Sequence, residues 1–379
     1  MQLIDGSHLS YCTNVHPGEN WADTFAALRH SLPRIKAGTR PSGDFGVGLR
    51  LSAVAARELE QGDNLAEFQD FLAREDLYVF TLNGFPYGPF HGQAVKEQVY
   101  QPDWRCDERV EYTLSLARIL ARLLPDDLEY GSISTVPGAF KPDVRTIDDQ
   151  RAMAANLGRV ADAFAHLEDQ TGRRLILALE PEPMCFLETM DEAIAFFTTH
   201  LQGDAAQRRH LGLCLDTCHA AVEFEDADTI IDRVGAAGIT IAKVQLSSAL
   251  DIPAVDTAAR TALARFSEDT YLHQTVQHRD GSLTRFLDLP QALDTFTAND
   301  APHWRTHFHV PVFREAMEHF GTTQEFLVRI LDRHRATPIS AHLEVETYTW
   351  GVLPPQFRDM DLETGIGREL EWVLERLGD

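Results

Sequence analysis

The chain has 379 residues, 44% of them hydrophobic and 24% charged, which is ample for a large buried core. No run approaches the roughly 20 apolar residues of a membrane span, and Met1 to Tyr11 lacks the basic-then-apolar order of a secretory leader, so a cytoplasmic protein is expected. With 34 Lys and Arg against 58 Asp and Glu the net charge is −24, which repels phosphate backbones and argues against nucleic acid as a partner.

Short apolar runs alternate with longer helical stretches. A strand at His8–Asn14 precedes a helix at Trp21–Lys36, and a second strand follows at Phe45–Leu51. The helix at Leu65–Ala73 leads to a strand at Leu77–Leu82, and the helix at Cys106–Leu124 to one at Tyr130–Thr135. Asp148–Asp169 is the plainest helix, with Met153, Leu157, Val160, Phe164 and Leu167 at helical spacing. Strands at Leu175–Glu180, Leu211–Asp216 and Thr240–Leu246 come next, separated by helices at Met190–His200 and Ala227–Val234. A helix at Thr323–His334, an eighth strand at Ile339–Thr347 and a helix at Gly365–Leu377 complete the chain.

Eight alternating β and α units predict an α/β fold, a (β/α)8 TIM barrel. A doubly wound open sheet is the runner-up, but it would call for a Gly-rich strand–helix turn, and neither G-x-G-x-x-G nor a P-loop occurs. Two regions break the spacing. Pro86–Asp103 follows the third strand, and Ser247–Gly321 follows the seventh and carries His273, His278, His303, His307 and His309. Both follow strands, so both are expected over the C-terminal face of the barrel, as parts of a single domain spanning 1–379 with 247–321 as an insertion. The cysteines, Cys12, Cys106, Cys185, Cys214 and Cys218, are few and scattered, which suits a reducing compartment. Three residues separate Cys214 from Cys218, poor spacing for a thiolate zinc clip, so these two are read as core residues.

Polar residues end several strands where apolar ones would be the bland choice. Glu180 ends LILALE, Asp216 ends LGLCLD with His219 three residues on, Gln245 lies in TIAKVQLSS, and Glu344 and Glu346 share one face of ISAHLEVET. Counted from the strand starts, Glu180, Asp216, Gln245 and Glu344 reach one level. Buried together, the carboxylates would repel, and a divalent cation removes that conflict. Carboxylates with an amide oxygen suit Mn or Mg, with Zn also open. His307 and His309 in HFHVPVF, with His219, are candidates for a second metal position or for substrate contact.

These motifs resemble the xylose-isomerase-like superfamily, which includes sugar epimerases and endonuclease IV. CLDTCHAAVEFED is similar to its strand-six motif, implying Asp216 and His219 as metal ligands, and LALEPEP implies Glu180. HFHVP is similar to the later pair in endonuclease IV that contacts a further metal, implying His307 and His309. YCTNVHPGENW, TLNGFPYGPFHG, VYQPDW, YLHQTV, HFHVPVF and HLEVETYTW together resemble the EboE group, named for a role in metabolite traffic. Two departures stand out. Gln245 sits where the superfamily commonly has a His ligand, and Asn83 where endonuclease IV has an early-strand His, which argues against a trinuclear zinc phosphodiesterase. On the eighth strand, level counting favours Glu344 and the Glu-Thr dipeptide favours Glu346.

The expected function is isomerisation or epimerisation of a sugar, sugar phosphate or cyclitol, dependent on a divalent metal (Mn, Mg or Zn). Glu180 and Glu344 or Glu346 are the catalytic acid and base. The metal ligands come from Glu180, Asp216, His219, Gln245, His309, Glu344 and Glu346. His16, Asn83, His91, Lys141, Glu182, His273 and His307 are candidates for substrate contact. The alternatives are metal-dependent hydrolysis of a small phosphoester and non-catalytic binding or trafficking of a metabolite. The expected partner is a small polyol- or sugar-type molecule, and a homo-oligomer is left open.

Overall fold

The computed structural model describes residues 1–40, 42–92, 94–201, 203–297 and 301–379. Eight strands run parallel: β1 (His8–Tyr11), β2 (Phe45–Arg50), β3 (Leu77–Asn83), β4 (Gly131–Thr135), β5 (Leu175–Leu179), β6 (Leu211–Asp216), β7 (Ile241–Leu246) and, last in the chain, His342–Val345. The last strand lies between β1 and β7, and the others follow in sequence order down to β2. A parallel bridge from Cys12 to Gly48 brings the β1 and β2 edges together. The result is a nearly closed (β/α)8 barrel, not the open doubly wound sheet.

Side chains on each strand alternate between the barrel axis and the surrounding helices. Val47, Leu49, Leu177, Leu179, Leu213, Leu215 and Val244 are fully or almost fully buried in the main apolar core. Their neighbours Ser10, Thr81, Ser132, Lys243 and Glu344 fill a polar interior, each 0% exposed. Thr81 and Ser132 hydroxyls lie 2.7 Å apart, and Ser132 Oγ lies 2.8 Å from His342 Nδ1. Cys214 and Cys218 are both buried, as read from the sequence.

The excursion after β7 is an antiparallel sheet of its own. Its strands are β8 (Leu250–Ile252), β9 (Thr275–Arg279), β10 (Ser282–Phe286), β11 (His303–Thr306), β12 (Ala316–Met317) and β13 (Phe320–Thr322), in the order β10-β9-β11-β8-β13-β12. The strand His342–Val345 is therefore β14. This second sheet sits at the C-terminal ends of the barrel strands: Val310 N donates to Ser248 O, Thr323 N to Ala249 O, and His309 Nδ1 lies 2.7 Å from Glu346 O. Among the described residues, no helix is long and apolar enough to cross a membrane.

Candidate metal centre

Asp216 is the last residue of β6 and the N-cap of the helix Thr217–Val222. Its Oδ1 accepts from Cys218 N at 2.8 Å, His219 N at 3.1 Å and Ser247 Oγ at 2.6 Å. That capping fixes the carboxylate and leaves the buried Oδ2 without a hydrogen-bond partner. His219, in the same short helix, sets its Nε2 3.8 Å from this oxygen, and His309 sets its Nε2 4.0 Å away. These separations exceed a hydrogen bond. They suit two donors that each stand about 2.1 Å from one ion.

The three histidines are oriented alike. Nδ1 of His219 faces Pro181 O at 3.0 Å, Nδ1 of His309 faces Glu346 O, and Nδ1 of His307 faces Gln274 Oε1 at 2.8 Å. A carbonyl oxygen only accepts, so each ring carries its proton on Nδ1 and offers an Nε2 lone pair, as metal-binding histidines do. Burial lowers all three pKa values, that of His219 to about 4. Nε2 of His307 and of His309 is buried without a partner.

Carboxylates complete the cluster. Glu180, Asp216 and Glu346 bring oxygens within 4.8 Å of one another, and the same holds for donor atoms of Asp216, His219 and His309, of Glu182, His219 and His307, and of Cys218, His307 and His309. Burial first, and then the charge of Asp216 on Glu180 and of Glu180 on Glu346, holds both carboxyls well above the ordinary range. Burial also pushes Asp216 upward, but His219, His309 and the Ser247 hydroxyl outweigh it, and its pKa is lowered. Gln245, 0% exposed, has neither amide atom bonded. Buried orphan oxygens and imidazole nitrogens around crowded carboxylates are the donor set a divalent cation needs, so the residues fit such an ion.

Glu344 behaves differently. It is a register partner of Gln245, as Asp216 is, so these three share the level counted from the sequence, whereas Glu180, next to Leu179 opposite Leu213, falls short of it. Its carboxylate, however, forms an ion pair at 2.6 Å with Lys243, both groups being 0% exposed. Glu346, two residues farther along, is the one that joins Glu180 and Asp216. Its Oε1 accepts from Asn14 Nδ2 at 2.7 Å and Asn83 Nδ2 at 2.9 Å.

A cleft opens beside these groups. Its floor is Asn14, Asn83, Glu180, Glu182, His219, His307 and Glu346; its walls are largely Phe85, Phe90, Val95, Val99, Tyr271, Leu272 and Tyr348. Glu182 accepts from Gln274 Nε2 at 2.9 Å and from the Tyr100 hydroxyl at 3.2 Å, yet burial still pushes its pKa up to about 8. Of the seven residues expected to contact substrate, Asn83, Glu182 and His307 line the cleft. The other four are not among its lining residues, each for a local reason. His16 is held by the Tyr11 hydroxyl at 2.8 Å, and Lys141 is paired with Glu188 and Glu192. His273 stacks on Phe308 between Glu268 and Asp288, and His91 packs edge-on against Phe90. Asn14, Lys243 and the Tyr100–Gln274 pair escaped the sequence reading, although Tyr100 and Gln274 sit inside the VYQPDW and YLHQTV motifs.

Solved structures share this architecture at low sequence identity. The IolI protein with a bound zinc atom superposes with a TM-score of 0.53 at 11% identity, over 98% of each chain. The probable 3-DHS dehydratase AsbF of Bacillus anthracis, involved in petrobactin synthesis, gives 0.51 at 12% identity, over 96% of this chain and 97% of that one. A D-tagatose 3-epimerase-like protein gives 0.51 at 10% identity, over 98% of both. No curated protein matches the sequence significantly. A family model described as xylose isomerase-like TIM barrel matches residues 50–304, well over half of the chain, from the end of β2 into the sheet above the barrel, and the protein belongs to that family.

Proposed function

We propose that the protein is a divalent-metal-dependent isomerase or epimerase of a polyol, sugar or cyclitol. The observation that carries this reading is the convergence of Glu180, Asp216 and Glu346 with Nε2 of His219 and the unpartnered Nε2 of His309 above the strand ends. Glu180, Asp216, Glu346 and an imidazole would hold the ion, with Gln245 as a neutral oxygen donor. Mixed carboxylate and imidazole ligation suits Mn or Zn, and Mg less well. When bound, such an ion chelates neighbouring substrate oxygens and stabilises negative charge next to a carbonyl.

The chain's own groups do the rest. Glu180 takes the proton from the carbon beside the carbonyl and keeps it, while Glu346, starting protonated, delivers its own proton to the substrate and is left ionised. Asn14 and Asn83 hold Glu346 Oε1 and so keep its other oxygen toward the cleft. Asn83, Glu182 and His307 bind hydroxyls. Two structural neighbours support this reading: the IolI protein by the zinc it binds, and the D-tagatose 3-epimerase-like protein by the class of reaction. The EboE likeness of the motifs is kept as a finer proposal, as is treatment of residues 1–379 as one unit with an insertion at 247–321.

Elemental analysis of purified protein should find Mn or Zn near one equivalent, removable by a chelator. Glu180→Gln, assayed at metal loading equal to wild type, should lose about 10³-fold in turnover on whichever ketose or cyclitol ketone the wild type converts. Undiminished turnover in that variant would end the assignment.

A further inference from the structure

The cleft has two chemically different halves. Its floor is acidic and hydrogen-bonding, while Phe90, Val95, Val99, Tyr271, Leu272 and Tyr348 form an apolar wall. Three of these rings support one another, with centroids 5.1 Å apart for Phe90 and Tyr271, 5.4 Å for Phe90 and Tyr348, and 4.9 Å for Tyr271 and Tyr348. They are not sealed into the core, because they line the same cavity as Glu180, Glu182 and Glu346. The ring faces and alkyl groups of such a wall return no hydrogen bond to the hydroxyls of a free sugar, leaving only the Tyr271 and Tyr348 hydroxyls to do so.

Charge narrows the class further. Among the described residues lining the cleft, the one Lys or Arg is Lys96, and its ammonium is already used by Glu268 O at 3.2 Å, Tyr271 O at 2.6 Å and the Asp288 carboxylate at 2.8 Å. The charged groups left on the floor are carboxylates. A phosphate would meet no free cation side chain and several acids.

We infer that the substrate is an uncharged polyol or cyclitol bearing an apolar substituent, seated with its hydroxyls on the acidic floor and its substituent on the Phe90–Tyr271–Tyr348 wall, and that phosphorylated sugars are excluded. This rests on the proposed polyol chemistry of the floor. The test uses the full chain loaded with manganese and three probes in titration calorimetry: methyl β-glucoside, phenyl β-glucoside and glucose 6-phosphate. The phenyl glucoside should bind about tenfold more tightly than the methyl glucoside, the increment for burying a few apolar carbons, and glucose 6-phosphate more weakly than either. Phe90→Ala, and separately Val99→Ala, should shrink the phenyl-to-methyl ratio. Equal binding of the two glucosides, tightest binding of the phosphate, no binding of any probe, or a ratio untouched by both variants overturns the inference. A phenyl preference that survives chelator treatment leaves it standing while the metal-dependent reading of the floor falls. Chelator-sensitive binding without a phenyl preference has the opposite meaning.

Discussion

Lys243 and Glu344 show how a single residue can mislead a reading of the barrel. Glu344 sits on the ladder level of Gln245 and Asp216, and in a flat sheet it would have been their neighbour at the site. Strands in a closed barrel tilt and stagger, so groups that meet near the axis are offset along the ladder. Glu180 directly follows β5, Asp216 stands beyond its ladder level on β6, and Glu346 lies two residues past the partner of Gln245. Glu344 is thereby left one layer down, where Lys243 neutralises it. Removing the lysine strands a buried carboxylate beneath three others. Lys243→Met is expected to cost about 3–5 kcal/mol, the usual penalty for breaking a buried pair, and adding Glu344→Gln should restore much of it. Urea unfolding of the single and double variants checks this, and a double variant as unstable as the single would show that the pair has no such role.

At the scale of elements, the strands and most helices were legible because apolar periodicity and strand length are local signals. All eight barrel strands appear within a few residues of their expected bounds. The first is shorter than expected, ending at Tyr11, because the chain turns into a 3-10 helix at Thr13–Val15 and carries Asn14 toward Glu346. The six-stranded sheet was missed. Its strands are two to five residues long, too short for periodicity to register. One signal was available: Asp280-Gly281 between two alternating runs, with both residues at positive φ (48° and 76°), joins β9 to β10 as a two-residue hairpin turn. Gly48 on β2 carries a different message. A Cβ there would lie 1.5 Å from Glu344 Oε2 and 2.8 Å from Tyr11 O, so the small residue makes room for the buried pair. Gly48→Ala should therefore destabilise the protein by roughly 1–3 kcal/mol, most of it through the pair. Combined with Lys243→Met it should add little; full additivity in thermal melts would refute the link.

On the scale of the molecule, one carboxylate joins three parts that lie far apart in sequence. Glu369, in the helix Leu362–Leu377 and 1% exposed, accepts from Val312 N of the excursion and from Thr347 Oγ1 and the Trp350 indole beyond β14. Burial raises its pKa to about 7, although all three donors pull the other way. The sign follows from which state holds the proton. Between the ordinary value of 4.5 and about 7 the folded protein keeps a proton that the unfolded chain has released, so stability falls as pH rises across that window. The contribution is complete below about pH 4.5 and lost above about pH 7. Glu369→Gln does not titrate, so the stability of wild type minus variant should drop by up to about 3 kcal/mol between pH 4.5 and 8. Subtracting the variant cancels the titration of Glu180 and Glu346, which both proteins share. A flat difference across that range would mean that Glu369 is ionised throughout, and that its three donors outweigh its burial.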